Sequence, residues 1–180
     1  TLKRYQEAEG VLRQGLEIVP GSQRLHFRLG VVLDKMGERQ GSVTQMEKVI
    51  ALDPKDATAL NYLGYTLAEM GIRLDEAEEF IKRALELKPE DGYITDSLGW
   101  VYFKMGRHND ALEWIQKALE RLPEDPQITE HLGDTYMALG RWREAQKAYE
   151  RALHLGHEDP NKLEPKLEES RQKAKDNGGQ

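Results

Sequence analysis

Apolar residues recur along the chain at three- and four-residue spacing, the period of helices that bury one face. Tyr5, Ala8, Leu12, Leu16 and Val19 mark such a helix over residues 3–19, ended by Pro20-Gly21. A Leu-Gly pair with a larger residue three positions beyond the glycine then recurs as Leu29-Gly30 with Leu33, Leu63-Gly64 with Leu67, Leu98-Gly99 with Tyr102 and Leu132-Gly133 with Tyr136. The glycines are 34, 35 and 34 residues apart, which predicts an all-α solenoid of antiparallel helix pairs with one continuous stacked core.

The period divides the chain into four full units, 21–54, 55–89, 90–123 and 124–157. Residues 1–20 read as the second helix of a further unit, since Pro20 lies 34 positions before Pro54, and the array is expected to begin inside a longer one. Gly41-Ser42 weakens the opening of the helix at 39–52, and Val49 stands where other units carry Ala, so this helix is expected to be the least protected of the paired helices. One added residue in Gly71-Ile72-Arg73-Leu74-Asp75 belongs in the turn of its unit, and Gly106 and Gly140 are placed as helix C-caps. Residues 158–180 read as a polar capping helix, with Pro165 in its first turn, Leu163 and Leu167 covering the last unit, and Asp176 to Gln180 fraying.

Small residues inside the helices have a steric role. Gly30, Gly64, Gly99 and Gly133 fall where a side chain would separate the helices of a pair, with Ala77, Ala111 and Ala145 facing them, while Ala84, Ala118 and Ala152 pack toward the next unit. With Pro54, Pro89 and Pro123 as stops, Leu98, Gly99, Tyr102, Ala111, Ala118 and Pro123 and their counterparts resemble the tetratricopeptide repeat over residues 1–157. That resemblance implies a right-handed superhelix with the first helices lining a concave face. Thr95 and Thr129 stand where the family motif has a bulky residue, Ser42 and Val49 replace alanines, and His157 replaces the final Pro. Asn61-Tyr62-Leu63-Gly64-Tyr65 and Asp96-Ser97-Leu98-Gly99-Trp100 are also similar to bacterial cell-envelope repeat scaffolds.

Composition narrows the function classes. Thirty-two acidic against 26 basic residues give a charge of -6, the wrong balance for a nucleic-acid or anionic-membrane partner. No apolar run approaches the roughly 20 residues of a membrane span, and Thr1-Leu2-Lys3-Arg4 does not read as a signal peptide, so a soluble segment without membrane insertion is expected. The lack of Cys removes disulfides and thiolate chemistry but suits a cytoplasmic or an exported protein equally. His26, His108, His131, His154 and His157 are scattered over different units and suggest no catalytic constellation, and His154-x-x-His157 lies at a helix end that favours His without a metal. No glycine loop for phosphate is present, and the expectation is a non-enzymatic chain without cofactor or metal.

The repeat register places six positions of each first helix on the concave face, and these hold Phe27, Tyr62, Tyr65, Tyr93, Trp100 and Phe103. They are six of the thirteen aromatic residues, where an even spread would place fewer than two. Arg24, Arg28 and Lys35 lie toward one end of this face and Asp96, Glu130 and Asp134 toward the other, with Lys35 and Arg24 reading as ordinary solvated charge. Some family members hold a peptide's terminal carboxylate through Lys and Asn, but the corresponding positions here are Phe27 and Val31. The candidate site is thus Phe27, Arg28, Tyr62, Tyr65, Tyr93, Asp96, Trp100, Phe103, Glu130 and Asp134, with Trp100 at its centre, for a protein or peptide partner. A structural reading also stands, in which residues 3–19 expose Val11 and Ile18 and the chain self-associates through its N-terminal edge.

Overall fold

The computed structural model describes residues 2–176, which form ten α-helices and no strand. They lie in two compact units that divide between Pro89 and Glu90. The N-terminal unit holds α1 (Leu2–Ile18), α2 (Gln23–Lys35), α3 (Arg39–Leu52), α4 (Ala57–Met70) and α5 (Leu74–Leu87). The C-terminal unit holds α6 (Gly92–Lys104), α7 (His108–Arg121), α8 (Pro126–Ala138), α9 (Trp142–His154) and α10 (Pro160–Asp176). Helices α2, α4, α6 and α8 are the first members of their pairs.

The two kinds of helix start differently. Each first helix follows an extended residue, Ser22, Asp56, Asp91 or Asp125, whose side chain accepts a backbone N–H of the first turn. The second helices α3, α5, α7 and α9 have no such side-chain bond. They leave tight turns, and the added residue of the third unit lies in one of them. There Gly71 and Arg73 take positive φ, 66° and 50°, and the Arg73 guanidinium holds Glu76 at 2.7 Å and Glu47 at 2.8 Å.

Pair packing is set by the missing side chains. A Cβ on Gly64 would stand 2.5 Å from Ile81 Cγ1 and 2.9 Å from the Ala77 carbonyl oxygen, and one on Gly99 would stand 2.7 Å from Ile115 Cγ1. On Gly30 it would meet Met46 Cε at 2.8 Å, and on Gly133 the ring of Tyr149. The alanines therefore contribute their backbone to the contact. The bulk that fills it comes from Met46, Ile81, Ile115 and Tyr149, one turn further along the second helix.

Thr95 and Thr129, where the repeat motif has a bulky residue, are buried with their hydroxyls donated to the Asp91 and Asp125 carbonyls one turn back. The C-terminal helix departs from expectation in its start. It begins at Pro160, with Asp159 accepting the Lys162 N–H, so Pro165 lies inside the helix rather than in its opening turn. This early in the helix the missing N–H costs a single bond. Leu163 and Leu167 pack with Ala145, Tyr149 and Ala152 of α9. Of the tail expected to fray, residues 177–180 lie outside the described residues.

Helix α3 carries a specific defect. Val49 is fully buried, and the buried Ser42 hydroxyl has no hydrogen-bond partner. An unsatisfied buried hydroxyl costs on the order of 1 kcal/mol. We predict that Ser42→Ala raises the stability of the N-terminal unit by about 1 kcal/mol and slows amide exchange across α3. Thermal melting and hydrogen exchange check this; a variant that melts lower would show that the hydroxyl is bonded.

Candidate interaction surface

In the N-terminal unit α2 and α4 run side by side and are tied at two levels. Gln23 Nε2 donates to Asp56 Oδ2 at 2.8 Å, and the Tyr62 hydroxyl donates to Asp34 Oδ2 at 2.8 Å. Between these ties the rings of Phe27 and Tyr62 meet edge to face, 6.0 Å apart. Burial and the Asp34 carboxylate push the Tyr62 hydroxyl above its ordinary range, so Tyr62 stays a neutral donor. Phe27, Tyr62 and Tyr65 are half-buried, while Arg28 is exposed.

In the C-terminal unit α6 and α8 are joined by a buried polar and aromatic stack. The Trp100 ring lies 4.7 Å from Phe103 and 4.0 Å from His131, nearly parallel to both, and Lys104 Nζ stands 4.9 Å from the indole centre. His131 Nδ1 is 2.9 Å from Asp96 Oδ2. Burial alone would lower the His131 pKa, but Asp96, with Asp134 and Glu130, outweighs it and the imidazole is raised above its ordinary value. Trp100 is thus stacked against two rings, Phe103 and His131.

The acidic residues at the other end of α8 are also committed. Lys166 of α10 reaches Glu130 at 2.7 Å and Asp134 at 2.6 Å, and Glu130 further accepts His157 Nε2 at 2.8 Å. The Tyr149 hydroxyl donates to Asp134 at 2.7 Å. Burial would raise the Glu130 carboxyl, yet Lys166, Lys162 and His157 hold it down at about 2. Burial likewise opposes the charge of Lys166, and the two carboxylates restore it, leaving its pKa raised.

The repeat register leads one to expect an open aromatic and acidic face, and the structure differs at three positions. Trp100, Asp96 and Glu130 are buried at 7%, 6% and 3% exposure, the first two because His131 of the neighbouring first helix packs on and pairs with them, and Glu130 because Lys166 of α10 and His157 close over it. Tyr93 is the large aromatic left open, at 59%. Phe103 is half-buried, stacked on Trp100 and tilted against His108 at 5.3 Å. The sequence suggests no link between the histidines and carboxylates, yet His131 and His157 each have one. A signal for the first exists, since Asp96 and His131 are one repeat period plus one residue apart on successive first helices. Neither pair is open to a substrate, as His131 and Asp96 are buried and His157 has both ring nitrogens engaged, with Glu130 and the Asp159 N–H.

Models of the tetratricopeptide repeat match residues 23–56, 55–124 and 102–161. The chain belongs to the tetratricopeptide-repeat family. It is 37% identical over 110 residues, 59% of its length, to the TPR repeat-containing protein PA4667 of Pseudomonas aeruginosa, of which it spans 18%. Among solved structures it is similar to the thermophilic TPR protein TTC0263 of Thermus thermophilus, with a TM-score of 0.77 at 23% identity over 94% of this chain and 91% of that one. It is also similar to pilF of Pseudomonas aeruginosa, with a TM-score of 0.71 at 23% identity over 99% of this chain and 86% of that one. At these identities the structures speak for the tetratricopeptide fold.

Within the tetratricopeptide frame, Trp100 occupies a first-helix surface position and yet serves as packing between repeats. We predict that Trp100→Ala lowers the stability of the C-terminal unit by about 3 kcal/mol or more, the range for removing a buried large aromatic side chain. Its melting temperature should fall toward that of a Gly99→Leu variant. A Trp100→Ala protein that melts like the parent would return the indole to the open surface.

Proposed function

We propose that the chain is a non-enzymatic interaction scaffold that holds a segment of another protein against the faces formed by its first helices. The family and the aromatic content of these helices support the reading, and the observation that carries it is Tyr93. At 59% exposure this residue stands mostly open on α6, and Tyr is among the residues that most often anchor protein interfaces. In the N-terminal unit Phe27, Tyr62 and Tyr65, with Arg28, form the corresponding contact surface. In the C-terminal unit the Trp100 and Phe103 stack braces the helix that presents Tyr93, so these two act as support. Asp96, Glu130 and Asp134 lend structure through their internal partners.

A second reading, self-assembly through the N-terminal edge, is favoured by α1, which buries no residue and leaves Val11 at 68% and Ile18 at 82% exposure. Photo-crosslinking separates the two. With benzoylphenylalanine placed at Tyr93, at Val11 or, as a control on a second helix, at Glu113, the scaffold reading predicts adducts to another protein from position 93 and none from 113. Adducts confined to a second copy and arising from position 11 would support self-assembly. Adducts to other proteins from 113 alone would contradict both.

A further inference from the structure

The charged residues of the first helices differ in whether the chain itself uses them. In the C-terminal unit Glu130, Asp134 and Asp96 are bound by Lys166, His157, Tyr149 and His131. In the N-terminal unit the carboxylates of α2 and α4 are likewise occupied. Asp56 Oδ1 accepts the N–H groups of Thr58 and Ala59, its Oδ2 accepts Gln23, and Asp34 takes the Tyr62 hydroxyl with Arg39 beside it. Glu69 at the far end of α4 is also within reach of Arg39.

The cations of α2 are the exception. Arg24 and Arg28 are exposed one helical turn apart, and among the described residues neither forms an ion pair. They border a cleft of about 360 Å³ whose other walls are Gln23, Phe27, Asp56 and Thr58. Phe27 is half-buried and braced by Tyr62, so the cleft has one apolar wall, two guanidinium groups that form no ion pair among the described residues, and the Asp56 carboxylate, whose partners are the neutral donors Gln23, Thr58 and Ala59; two cations against one anion leave it net positive. A volume at the low end of ligand sites admits one large side chain and leaves the flanking residues outside, beside the arginines. Arginine forks suit planar carboxylates, and two at i,i+4 spacing lie on one helix face.

Resting on the scaffold reading above, we infer that the face of α2 and α4 takes a protein segment bearing a large apolar side chain flanked by carboxylates, with Phe27 receiving the apolar group and Arg24 and Arg28 the charges. The anion proposed is a carboxylate, carried on Asp or Glu side chains on either side of the apolar residue, since Arg24 and Arg28 flank Phe27 on the same helix. The overall charge of -6 does not oppose this, because it is local uncommitted charge, not the net balance, that attracts a ligand at short range.

Fluorescence anisotropy with labelled synthetic peptides on the full chain tests the inference. Four probes are compared: an end-blocked peptide with Phe between Asp and Glu residues, the same peptide with Asn and Gln, a neutral Phe peptide with a free C-terminus, and a single-stranded oligonucleotide. The blocked acidic peptide is expected to bind at least tenfold tighter than its amide counterpart, to lose at least tenfold in the R24Q/R28Q variant, and to weaken with salt. Both arginines are exposed, so the variant should melt like the parent, and an R24K/R28K variant should retain part of the affinity. Equal binding of the acidic and amide peptides, an unaffected R24Q/R28Q variant, or no binding by any probe would overturn the inference. Preference for the free C-terminus or for the oligonucleotide would overturn it too, by assigning the arginines another ligand. Failure here combined with crosslinks from Tyr93 leaves the scaffold reading standing, whereas crosslinks from Glu113 alone remove it.

Discussion

Four missing side chains decide how closely the helices of each pair approach. At Gly30, Gly64, Gly99 and Gly133 a Cβ would collide with Met46, Ile81, Ile115 or Tyr149, and at Gly64 and Gly99 backbone of the second helix also lies within 3.1 Å of that point. Side chains can rotate away, but a carbonyl or amide can move only with its helix, so the spacing is a property of the backbone. The same constraint recurs each period, and within each unit successive first helices also meet through side chains. Tyr62 reaches Asp34, and His131 reaches Asp96.

Those contacts determine what happens to charge. A carboxylate brought against a neighbouring helix loses water and must find a partner inside the chain. In the C-terminal unit the partners exist: His131 for Asp96, and Lys166 with His157 for Glu130, so α10 contributes a cation as well as the apolar cover of Leu163 and Leu167. The capping helix therefore does two jobs, closing the core of the last pair and neutralising the first-helix surface. In the N-terminal unit the surface keeps two arginines in water, where a ligand can meet them. The two units are built from one repeat, yet they differ in the chemistry left over after folding.

Helices, turns and pair contacts were legible because each depends on residues close in sequence or related by the repeat period. Gly64 and Ile81 lie in one repeat, and Asp56 caps the helix that follows it. The candidate site was legible only in part. Which side chains line a first-helix face follows from register, and Phe27, Tyr62 and Tyr93 are found there. Whether such a side chain meets water depends on what the neighbouring helices offer, and the partner lies 35 residues away for Asp96, on α8, and 36 for Glu130, on α10. Trp100 illustrates the difference: register places it on the right helix face, but its burial comes from the ring of His131, which the aromatic pattern does not include. Pro165 shows the converse, a local signal for a helix start overridden by the earlier cap at Asp159.

The contrast between the two units rests on the acidic charge of α8 being consumed by α10, and the titration of Glu130 measures it directly. A carboxylate whose pKa is depressed in the folded state stabilises that state above its unfolded pKa, and the stabilisation is lost as pH falls toward the folded value. For Glu130 this window runs from its ordinary 4.5 down to about 2. Carbon-detected NMR of the side-chain carboxyl should find Glu130 still ionised at about pH 3.5, between those two values, and a Lys166→Met variant should move its midpoint up toward the ordinary range. A Glu130 midpoint near 4.5 in the parent chain, unmoved by Lys166→Met, would contradict the account, since the acidic pair would then be as available to a ligand as the arginines of α2.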